Sequence, residues 1–457
     1  MIHGGKRPAL LLFLGDILVF VLSLWLTLVI RYGRIFDTSA FAAHIGPFSI
    51  LFAIWALVFY MSGLYGKRVL LFKSSLPDAI IKTQSFNIVL AALFFFFLPG
   101  IGLAPKTNLV IYLVISLLLI FVWRLAIFPK LSIPRTRYPA VLLAEGEEAK
   151  ELEDEVNGNE RYHLSFPVVC SPEDALKDPG AFAARIRESG ATIVIADMTD
   201  GRVHELMPKL YELSSFHAPA QFVSFEDAYE EVFDRIPLSQ LSTNWFIENV
   251  PQSDPVLYVL LKRIIDIAGG VAMGLVTIIA APFVWIAQGF EGPGPLLIDQ
   301  DRIGKDGTRI HVYKFRSMRV NKSASSEWIT EEKNDNPVTK VGNILRRTSL
   351  DEFPQFVNIL RGELSLIGPR NDIEGLGKRL AEEIPYYNLR YRITPGITGW
   401  AQINQQYEQG NISPQSIEET KMRLAYDFYY LKHRSLGLDV VIALKTVKRM
   451  FFRVSSW

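Results

Sequence analysis

The chain has 457 residues, of which 49% are hydrophobic, and its 48 basic and 47 acidic residues leave a formal net charge of +1. This length exceeds what one hydrophobic core normally organises, and the apolar fraction is too high for an ordinary soluble enzyme. The balanced charge predicts no nucleic-acid partner. The only cysteine, Cys170, excludes an internal disulfide, and its apolar surroundings predict a buried small hydrophobic side chain.

Apolar windows rich in Leu, Ile, Val and Phe occupy the amino-terminal part of the chain, near residues 9–30, 46–64, 85–98 and 109–128. A helix that crosses a bilayer needs about 20 such residues. The third window is short unless it begins near Asp78 and includes Lys82, Gln84 and Asn87. We therefore predict a bundle of four transmembrane helices in residues 1–136. A cleavable signal peptide explains the first window less well, because the apolar run is long and no small-residue cleavage site follows it.

Basic residues predict the orientation of these helices, because cytoplasmic loops carry an excess of Lys and Arg. One side would carry Lys6, Arg7, Lys67, Arg68, Lys73, Arg124, Lys130, Arg135 and Arg137, and the other mainly Arg31, Arg34 and Lys106. The amino terminus and everything after the fourth helix should therefore be cytoplasmic. Asp16 lies inside the first helix, where an ionisable group is costly unless it faces protein. A helix-packing contact and a catalytic role are both open for it.

Residues 137–236 predict a separate cytoplasmic domain. Short apolar segments that read as buried strands alternate with acidic, helix-favouring segments, which predicts an open parallel sheet of Rossmann type. The strands are expected at Tyr138–Ala144, Phe166–Cys170, Thr192–Ala196 and Gln221–Ser224. Residues 144–148 follow the first strand with carboxylates and without the glycine fingerprint of a dinucleotide site. A structural or regulatory domain is the favoured interpretation.

Residues 237–261 are predicted to be a linker, and an apolar segment, residues 264–289, follows them. This segment is long enough to cross the bilayer as a fifth helix. Pro282 lies inside it, and a proline there removes a backbone hydrogen bond and kinks the helix. A straight span and a helix broken at Pro282, with Lys262 and Arg263 at the headgroups, are both open from these residues.

A turn and a strand are predicted next. Residues 300–307, QDRIGKDG, predict a polar turn, and residues 312–318 alternate apolar and basic side chains, as in a strand with a charged face.

Further along, residues 365–371 are predicted to form a tight turn that presents Arg370. Residues 394–402 combine a Pro-Gly turn with a glycine that allows close backbone approach to a ligand. From Asp439 onward, the pattern fits a helix in the membrane interface, ending in Phe451, Phe452 and Trp457, or an amphipathic core helix.

Residues 346–355, RRTSLDEFPQ, contain two adjacent guanidiniums and two adjacent carboxylates, which are Arg346, Arg347, Asp351 and Glu352. Pro354 lacks a backbone N–H, so a helix here starts no earlier than about Asp351 or is kinked. The free N–H groups and dipole of a helix start attract anions, and arginines suit phosphate oxygens. An ordinary capping box from Ser349 to Glu352 explains the same residues without any function. These ten residues alone leave the two interpretations evenly balanced.

Four motifs occur in order: QDRIGKDG, KFRSM, LRRTSLDEFPQFVNILRGELSLIGPR and TPGITGWAQIN. In this order they resemble the bacterial sugar transferases that move a hexose-1-phosphate onto polyprenyl phosphate, the monotopic phosphoglycosyl transferases. The resemblance covers roughly residues 258–457. It implies the large form of that family, a multi-domain membrane protein. Its mostly α (α+β) catalytic domain, residues 262–457, would carry a re-entrant membrane helix at about residues 264–289, broken at Pro282.

The resemblance also implies roles for individual residues. Asp351 matches the nucleophile, which attacks the sugar-linked phosphorus of a UDP-sugar, expels UMP and holds the phosphosugar covalently. Glu352 matches the second member of the acidic dyad, and both carboxylates are the expected ligands of Mg²⁺, which neutralises phosphate charge. The expected phosphate-binding residues are Arg346, Arg347, Arg370, Lys314 and Arg316. The turn at residues 394–402 borders the active site in the family, so a nucleotide or sugar contact by Trp400 or Gln402 and a purely structural turn are both open.

One position departs from the family pattern. Asn371 follows Gly-Pro-Arg where the commonest family sequence has proline, which removes one source of rigidity from the loop that carries Arg370. The arginine itself is retained.

The implied partners are a UDP-sugar donor, undecaprenyl phosphate as acceptor and the lipid bilayer, at the cytoplasmic face of the bacterial inner membrane. The implied pathway is the first membrane step of a surface glycan: O-antigen, capsule or exopolysaccharide. The hexose and a homo-oligomeric state are left open. Two other functional classes are open. One is a membrane-anchored nucleotide-sugar dehydratase or epimerase, since Tyr258 and Lys262 have the spacing of the Tyr/Lys pair that such enzymes use. The other is a non-catalytic scaffold in which the acidic pair only caps a helix.

Overall fold

The computed structural model forms two compact units, Met1–Phe233 and Asp234–Trp457. The described residues are 6–33, 38–62, 64–65, 76–97, 106–131, 137–159, 162, 164–206, 208, 221–251, 254–318, 338–405, 414 and 416–455.

The first unit begins with apolar helices. These are α1 Lys6–Tyr32, α2 Thr38–Met61, α3 Leu76–Phe97 and α4 Lys106–Phe121, and α4 continues through a π-helical turn, Val122–Ile127, into Phe128–Leu131. By length and composition, the segments Leu10–Tyr32, Ser39–Met61, Ala79–Phe97 and Asn108–Ile127 could each cross a membrane. The predicted helices are confirmed, including the early start of the third, since α3 contains Lys82, Gln84 and Asn87.

Asp16 makes a packing contact between these helices. Arg124, in the π-helical turn, donates Nε and Nη2 to the two carboxylate oxygens at 3.1 and 2.5 Å. The Tyr65 hydroxyl donates to the same carboxylate at 2.8 Å. Asp16 is fully buried, at 0% exposure. Its charge is therefore neutralised and both oxygens are occupied, so helix packing accounts for it.

A parallel sheet with strand order β2-β1-β3-β4 forms the rest of the first unit. Its strands are β1 Tyr138–Leu143, β2 Leu164–Cys170, β3 Ile193–Ala196 and β4 Gln221–Ser224, and its helices include α5 Glu147–Gly158, α6 Pro172–Lys177, α7 Pro179–Glu188 and α8 Phe225–Phe233. Successive β1 residues, such as Val141 and Leu142, enter separate apolar clusters, so both faces of the sheet are covered. The predicted parallel sheet is confirmed, and Cys170 is a buried free cysteine as expected.

The second unit contains short strands and many helices. Its helices are α9 Thr243–Asn249, α10 Val256–Gly289, α11 Lys340–Arg347, α12 Phe356–Arg361, α13 Glu374–Glu383, α14 Trp400–Asn404, α15 Ile417–His433 and α16 Leu436–Ser455. The strands are β5 Leu297–Ile303, β6 Arg309–Phe315, β7 Ser365–Ile367 and β8 Gly396–Thr398. Strands β5 and β6 form an antiparallel hairpin, and β7 and β8 pair in parallel. The helical character of the carboxyl-terminal segment is confirmed, but the side chains of Phe451 and Phe452, and Trp457, lie outside the described residues.

Two local predictions differ from the structure. The predicted linker, residues 237–261, contains α9, whose Trp245 and Phe246 pack in the main core against Phe428. That linker prediction was wrong because large aromatic side chains supply part of this core. Residues 300–303, predicted as turn, complete strand β5, because each pairs with a residue of β6. The other predicted domain limits stay predictions.

The long apolar helix α10 lies along the second unit. It continues without interruption through Pro282, so the helix does not end at that residue. Its small residues face the unit: a Cβ on Gly269 would come within 2.3 Å of Leu366, and one on Gly274 within 2.9 Å of Phe356. Many of its large apolar side chains are exposed, among them Ile278, Ile279, Phe283, Trp285 and Ile286. Val256–Gly289 is therefore a further candidate membrane segment by length and composition.

Candidate active site

The acidic pair lies at the start of a helix, as predicted. A 3-10 turn, Leu350–Gln355, contains both carboxylates and leads directly into α12. Ser349 precedes it in the left-handed conformation, with φ of 56°, and its side chain makes no capping hydrogen bond. The capping-box interpretation is therefore wrong, because a serine that caps a helix start normally has an extended backbone and accepts a hydrogen bond through its hydroxyl, and Ser349 does neither. Pro354 lies in the 3-10 turn, two residues before α12 begins, so the α-helix itself contains no proline.

Glu352 is held by two cations. Its Oε1 accepts from Lys314 Nζ at 2.9 Å and from Arg370 Nη2 at 3.0 Å. Burial alone would raise the pKa of Glu352, but the charges and hydrogen bonds of Lys314 and Arg370 outweigh it and hold that pKa well below the ordinary value. Glu352 is thus ionised and joins the strand β6 to the loop that carries Arg370.

Asp351 is buried, at 8% exposure, and differs sharply from its neighbour. Among the residues that the structure describes, no side chain or backbone N–H donates a hydrogen bond to its carboxylate. Burial, together with the negative charge of Glu352, raises the pKa of Asp351 above its ordinary value, while Lys314, Arg346 and Arg370 partly offset this rise. The site therefore contains two different carboxylates. The charge of Glu352 is neutralised by cations, whereas Asp351 is more basic and accepts no hydrogen bond from the described residues.

The predicted phosphate-binding residues separate into two groups. The positive charges of Lys314, Arg346 and Arg370 stabilise the ionised acidic pair. Arg347 is exposed on the same helix as Arg346. Arg316 instead donates to the backbone carbonyls of Gln288, Gly292 and Pro293. The strand alternation that placed Arg316 beside Lys314 ends at Phe315, so Arg316 binds the end of α10 rather than the acidic pair.

The turn at residues 394–402 packs against the loop of Arg370. A Cβ on Gly396 would lie 2.1 Å from the backbone nitrogen of Gly368, and one on Gly399 would lie 2.2 Å from its carbonyl oxygen. These glycines allow two backbones to approach each other, rather than a backbone and a ligand. Trp400 is buried against Tyr429, with stacked rings 5.4 Å apart, and Gln402 Nε2 donates to Ile397. Both contacts favour the structural interpretation of this turn.

Comparisons with known proteins match this region. Residues 257–453 match a family model described as Bacterial sugar transferase. The chain is 38% identical over 192 residues to the exopolysaccharide production protein PSS of Rhizobium leguminosarum bv. phaseoli, covering 94% of that protein and 41% of this chain. The chain belongs to the bacterial sugar transferase family.

Two longer relatives also match the chain. The chain is 33% identical over 258 residues to the UDP-N-acetylgalactosamine-undecaprenyl-phosphate N-acetylgalactosaminephosphotransferase of Aeromonas hydrophila, covering 56% of this chain and 58% of that protein. It is 38% identical over 202 residues to the UDP-glucose:undecaprenyl-phosphate glucose-1-phosphate transferase of Escherichia coli K12, covering 43% of this chain and 42% of that protein. The matches thus span about half the length of these two relatives.

Three residues of this sugar transferase site were missed by the sequence analysis: Arg302, Asp372 and Arg390. Arg302 Nη1 donates to the Asn371 carbonyl at 3.1 Å, and Arg390 Nη2 donates to the Arg370 carbonyl at 2.8 Å. Asp372 accepts from Arg390 and Arg423. Arg302 belongs to the QDRIGKDG motif, which was a usable signal, whereas nothing in the local sequence connects Asp372 with Arg390.

The donor chemistry of the site fits Mg²⁺ only together with substrate. Within the described ranges, no group of three or more His, Cys, Asp or Glu side chains could hold a metal ion. Mg²⁺ is commonly bound by one or two carboxylates and completed by phosphate oxygens and water. Asp351 is the better placed ligand, because Oε1 of Glu352 already accepts from two cations.

Proposed function

We propose that the protein transfers a hexose-1-phosphate from a UDP-sugar to undecaprenyl phosphate and releases UMP, as the first membrane step of surface glycan synthesis. The names of the relatives from Aeromonas and Escherichia support this donor and acceptor class. The observation that carries the proposal is the contrast within the acidic pair: Glu352 is neutralised by Lys314 and Arg370, whereas Asp351 is buried and uncommitted.

The proposed chemistry has two displacements at one phosphorus. A carboxylate oxygen of Asp351 forms a bond to the sugar-linked phosphorus, and the bond from that phosphorus to the UMP oxygen breaks. A phosphate oxygen of undecaprenyl phosphate then bonds to the same phosphorus and displaces Asp351. The raised pKa of Asp351 supports its role as nucleophile, because a more basic carboxylate oxygen donates its electron pair more readily.

Positive charge must balance the reacting anions. Lys314, Arg346 and Arg370 act on the carboxylates and would bind the phosphate oxygens of the donor. Mg²⁺, held by Asp351 with Glu352 beside it and by the substrate phosphates, would supply further neutralisation when bound.

We further propose that α1–α4 span the bacterial inner membrane as a bundle and that the second unit lies on its cytoplasmic face, with α10 re-entering one leaflet. The contacts of α10 support this arrangement, because residues near both of its ends form hydrogen bonds with other elements of the second unit. Near one end, Asp266 accepts from Ser365 and Leu366, and at the other, Gln288 Nε2 donates to the Arg316 carbonyl. A straight span would carry the polar hairpin β5–β6 into the bilayer core.

The proposed dehydratase or epimerase alternative loses its main support. Tyr258 and Lys262 both donate to Asp439, at 3.2 and 3.0 Å, so the pair fastens α10 to α16. A scaffold without activity remains the competing proposal for the acidic pair.

Two measurements test the function and the topology. Detergent-solubilised protein, incubated with undecaprenyl phosphate, Mg²⁺ and a panel of UDP-sugars, should release UMP with at least one of them. Intact-protein mass spectrometry after donor alone should then show a phosphohexose adduct on the peptide containing Asp351. UMP release that requires both substrates and leaves no adduct would contradict the covalent route, and no release with any donor would favour the scaffold.

Cysteine labelling of the Gly292→Cys variant in intact cells tests the re-entrant helix, with Cys170 replaced by Ser. Residue 292 follows α10 and should react only after the membrane is opened. Labelling by an impermeant reagent from outside would show that α10 crosses the bilayer.

A further inference from the structure

The loop that carries Arg370 has every carbonyl from 369 to 372 hydrogen-bonded. The Gly396 N–H donates to Pro369 at 2.9 Å, and the Ile303 N–H donates to Asp372 at 3.0 Å. Between them, Arg390 Nη2 donates to the Arg370 carbonyl and Arg302 Nη1 donates to that of Asn371. Two guanidiniums therefore fix the peptide groups on the carboxyl side of Arg370.

Arg302 is itself fixed in place. Its Nε and Nη2 donate to Gln300 Oε1 at 3.1 and 2.6 Å, so one guanidinium joins a side-chain amide to the Asn371 carbonyl. Both acceptors are neutral, and no described carboxylate forms an ion pair with Arg302. Burial, with the nearby charge of Arg370, lowers the pKa of Arg302 to about 10, and it remains a cation at neutral pH. A planar fork with several fixed donors suits this bridging contact better than a single ammonium group.

Arg390 belongs to a buried ionic cluster beneath the loop. It is 1% exposed, and its Nε and Nη2 donate to Asp427 at 2.9 and 2.7 Å. Asp372 accepts from Arg390 through Oδ2 and from Arg423 through Oδ1. Burial would raise the pKa of Asp372, but Arg390 and Arg423 outweigh it and keep this carboxyl ionised. The cluster thus holds Arg390 rigidly while its Nη2 reaches the loop.

We propose that Arg302 and Arg390 are positioning residues that hold the Arg370 guanidinium ready for the phosphate of the nucleotide donor, an inference that rests on the proposed function. The residue after Arg370 is asparagine, so no proline ring fixes the backbone there. The two side-chain contacts fix that backbone instead. Arg370 then needs little reorganisation when an anion binds.

The first test measures UMP binding to the full-length protein in detergent by calorimetry. Arg302→Gln and Arg390→Lys should each raise the UMP dissociation constant about ten- to hundredfold, since misplacement of a binding group by about 1 Å has effects of that size. Arg309→Gln is the matched control for Arg302, because Arg309 is an exposed arginine of the adjacent strand paired with Asp301 and Glu374. Arg392→Lys is the control for Arg390, because Arg392 is an exposed arginine of the same 3-10 turn, Tyr387–Arg392, and lies outside the ionic cluster. Both controls should bind UMP within about twofold of the wild type.

A double-mutant cycle separates positioning from simple charge. In the Arg370→Gln background, Arg302→Gln should change UMP affinity by less than about twofold, because the group that it positions is gone. An undiminished effect in that background would mean that Arg302 acts on the anion directly and would overturn the proposal. Arg302→Lys should remain impaired, because one ammonium cannot bridge Gln300 and Asn371; full recovery would also overturn it.

Hydrogen exchange makes the test independent of catalysis. The amides of residues 366–373 should exchange faster in Arg302→Gln and Arg390→Lys than in the wild type and the two controls. If the wild type releases no UMP from any donor but this exchange pattern holds, the proposed function fails while the loop-holding contacts stand. Unchanged exchange and unchanged UMP affinity would refute the positioning role and leave the proposed function intact.

Discussion

In the amino-terminal helices, Asp16 shares its two oxygens between Arg124 and Tyr65, whereas in the second unit Lys314 and Arg370 both bind Glu352 and leave Asp351 without a described donor. Both clusters bury carboxylates beside cations. In the first, one carboxylate meets one guanidinium, and every strong acceptor is used. In the second, two adjacent carboxylates compete for the same cations, and one of them remains available for chemistry.

This difference is a matter of hydrogen-bond partners rather than residue type. A buried ion pair with complete partners contributes to packing, and breaking it mainly costs stability. A buried carboxylate without a partner is costly to the folded state, so its retention indicates a function that requires it. The contrast between Asp16 and Asp351 therefore predicts opposite effects of similar substitutions.

Asp351→Asn should have the largest effect on activity. The amide is nearly the same shape but cannot form the ester bond to phosphorus, so UMP release should fall by at least about a thousandfold. Release of UMP from UDP-sugar by the purified variant is the measurement. Glu382→Gln, an exposed acid of α13, is the control and should keep full activity. Turnover by Asp351→Asn near the wild-type rate would remove the proposed nucleophile.

Asp16→Asn should instead affect stability. It leaves Arg124 as a buried charge without a counter-ion, which typically costs about 3–5 kcal/mol. We expect a lower yield of monodisperse protein and a lower unfolding temperature in detergent, with the specific activity of the folded fraction within about twofold of the wild type. Replacing both Asp16 and Arg124 by Leu should recover stability. A selective loss of turnover in well-folded Asp16→Asn protein would show that Asp16, like Asp351, contributes to activity rather than to helix packing alone.

Sequence reasoning found the features that are local. The strands of the parallel sheet are short apolar runs between acidic helices, and the acidic pair and its helix entrance lie within ten residues of each other. It grouped Arg316 with Lys314, whereas the structure places the Arg316 guanidinium on backbone carbonyls at the end of α10, because the strand that contains Lys314 ends at Phe315. It missed Asp372 and Arg390, because their contact depends on the packing of α13 and the 3-10 turn Tyr387–Arg392.

Tertiary packing also decided the remaining errors. Residues 300–303 are polar, but β6 supplies a partner for each of them, so a turn-like sequence becomes strand. The segment predicted as a linker contains Trp245 and Phe246, whose burial needs the aromatic side chains of α15. Neither partner is visible in the local sequence.

Glu352→Gln should weaken catalysis by a smaller factor and shift its pH dependence. Removing this negative charge lowers the pKa of Asp351 and frees Lys314 and Arg370 to pair with it. The nucleophile would be ionised at lower pH but less basic and partly occupied by cations, so we expect a loss of about ten- to hundredfold in turnover. The acidic limb of the pH–rate profile should move to lower pH than in the wild type. A shift toward higher pH, or none, would contradict the division of roles within the pair.

The smallest expected effect is a gain in stability for Asp351→Asn. Because the folded pKa of Asp351 is raised, its contribution to stability is complete below its unfolded pKa and is lost as the pH rises through the folded value. Above the folded pKa the wild type therefore carries a buried ionised carboxylate, whose cost to stability the neutral amide of the variant removes. We expect the unfolding temperature of the variant to exceed that of the wild type by on the order of 2 °C at neutral pH and to match it near about pH 4. A variant that is less stable than the wild type at pH 7 would show that Asp351, like Asp16, is held by structural contacts.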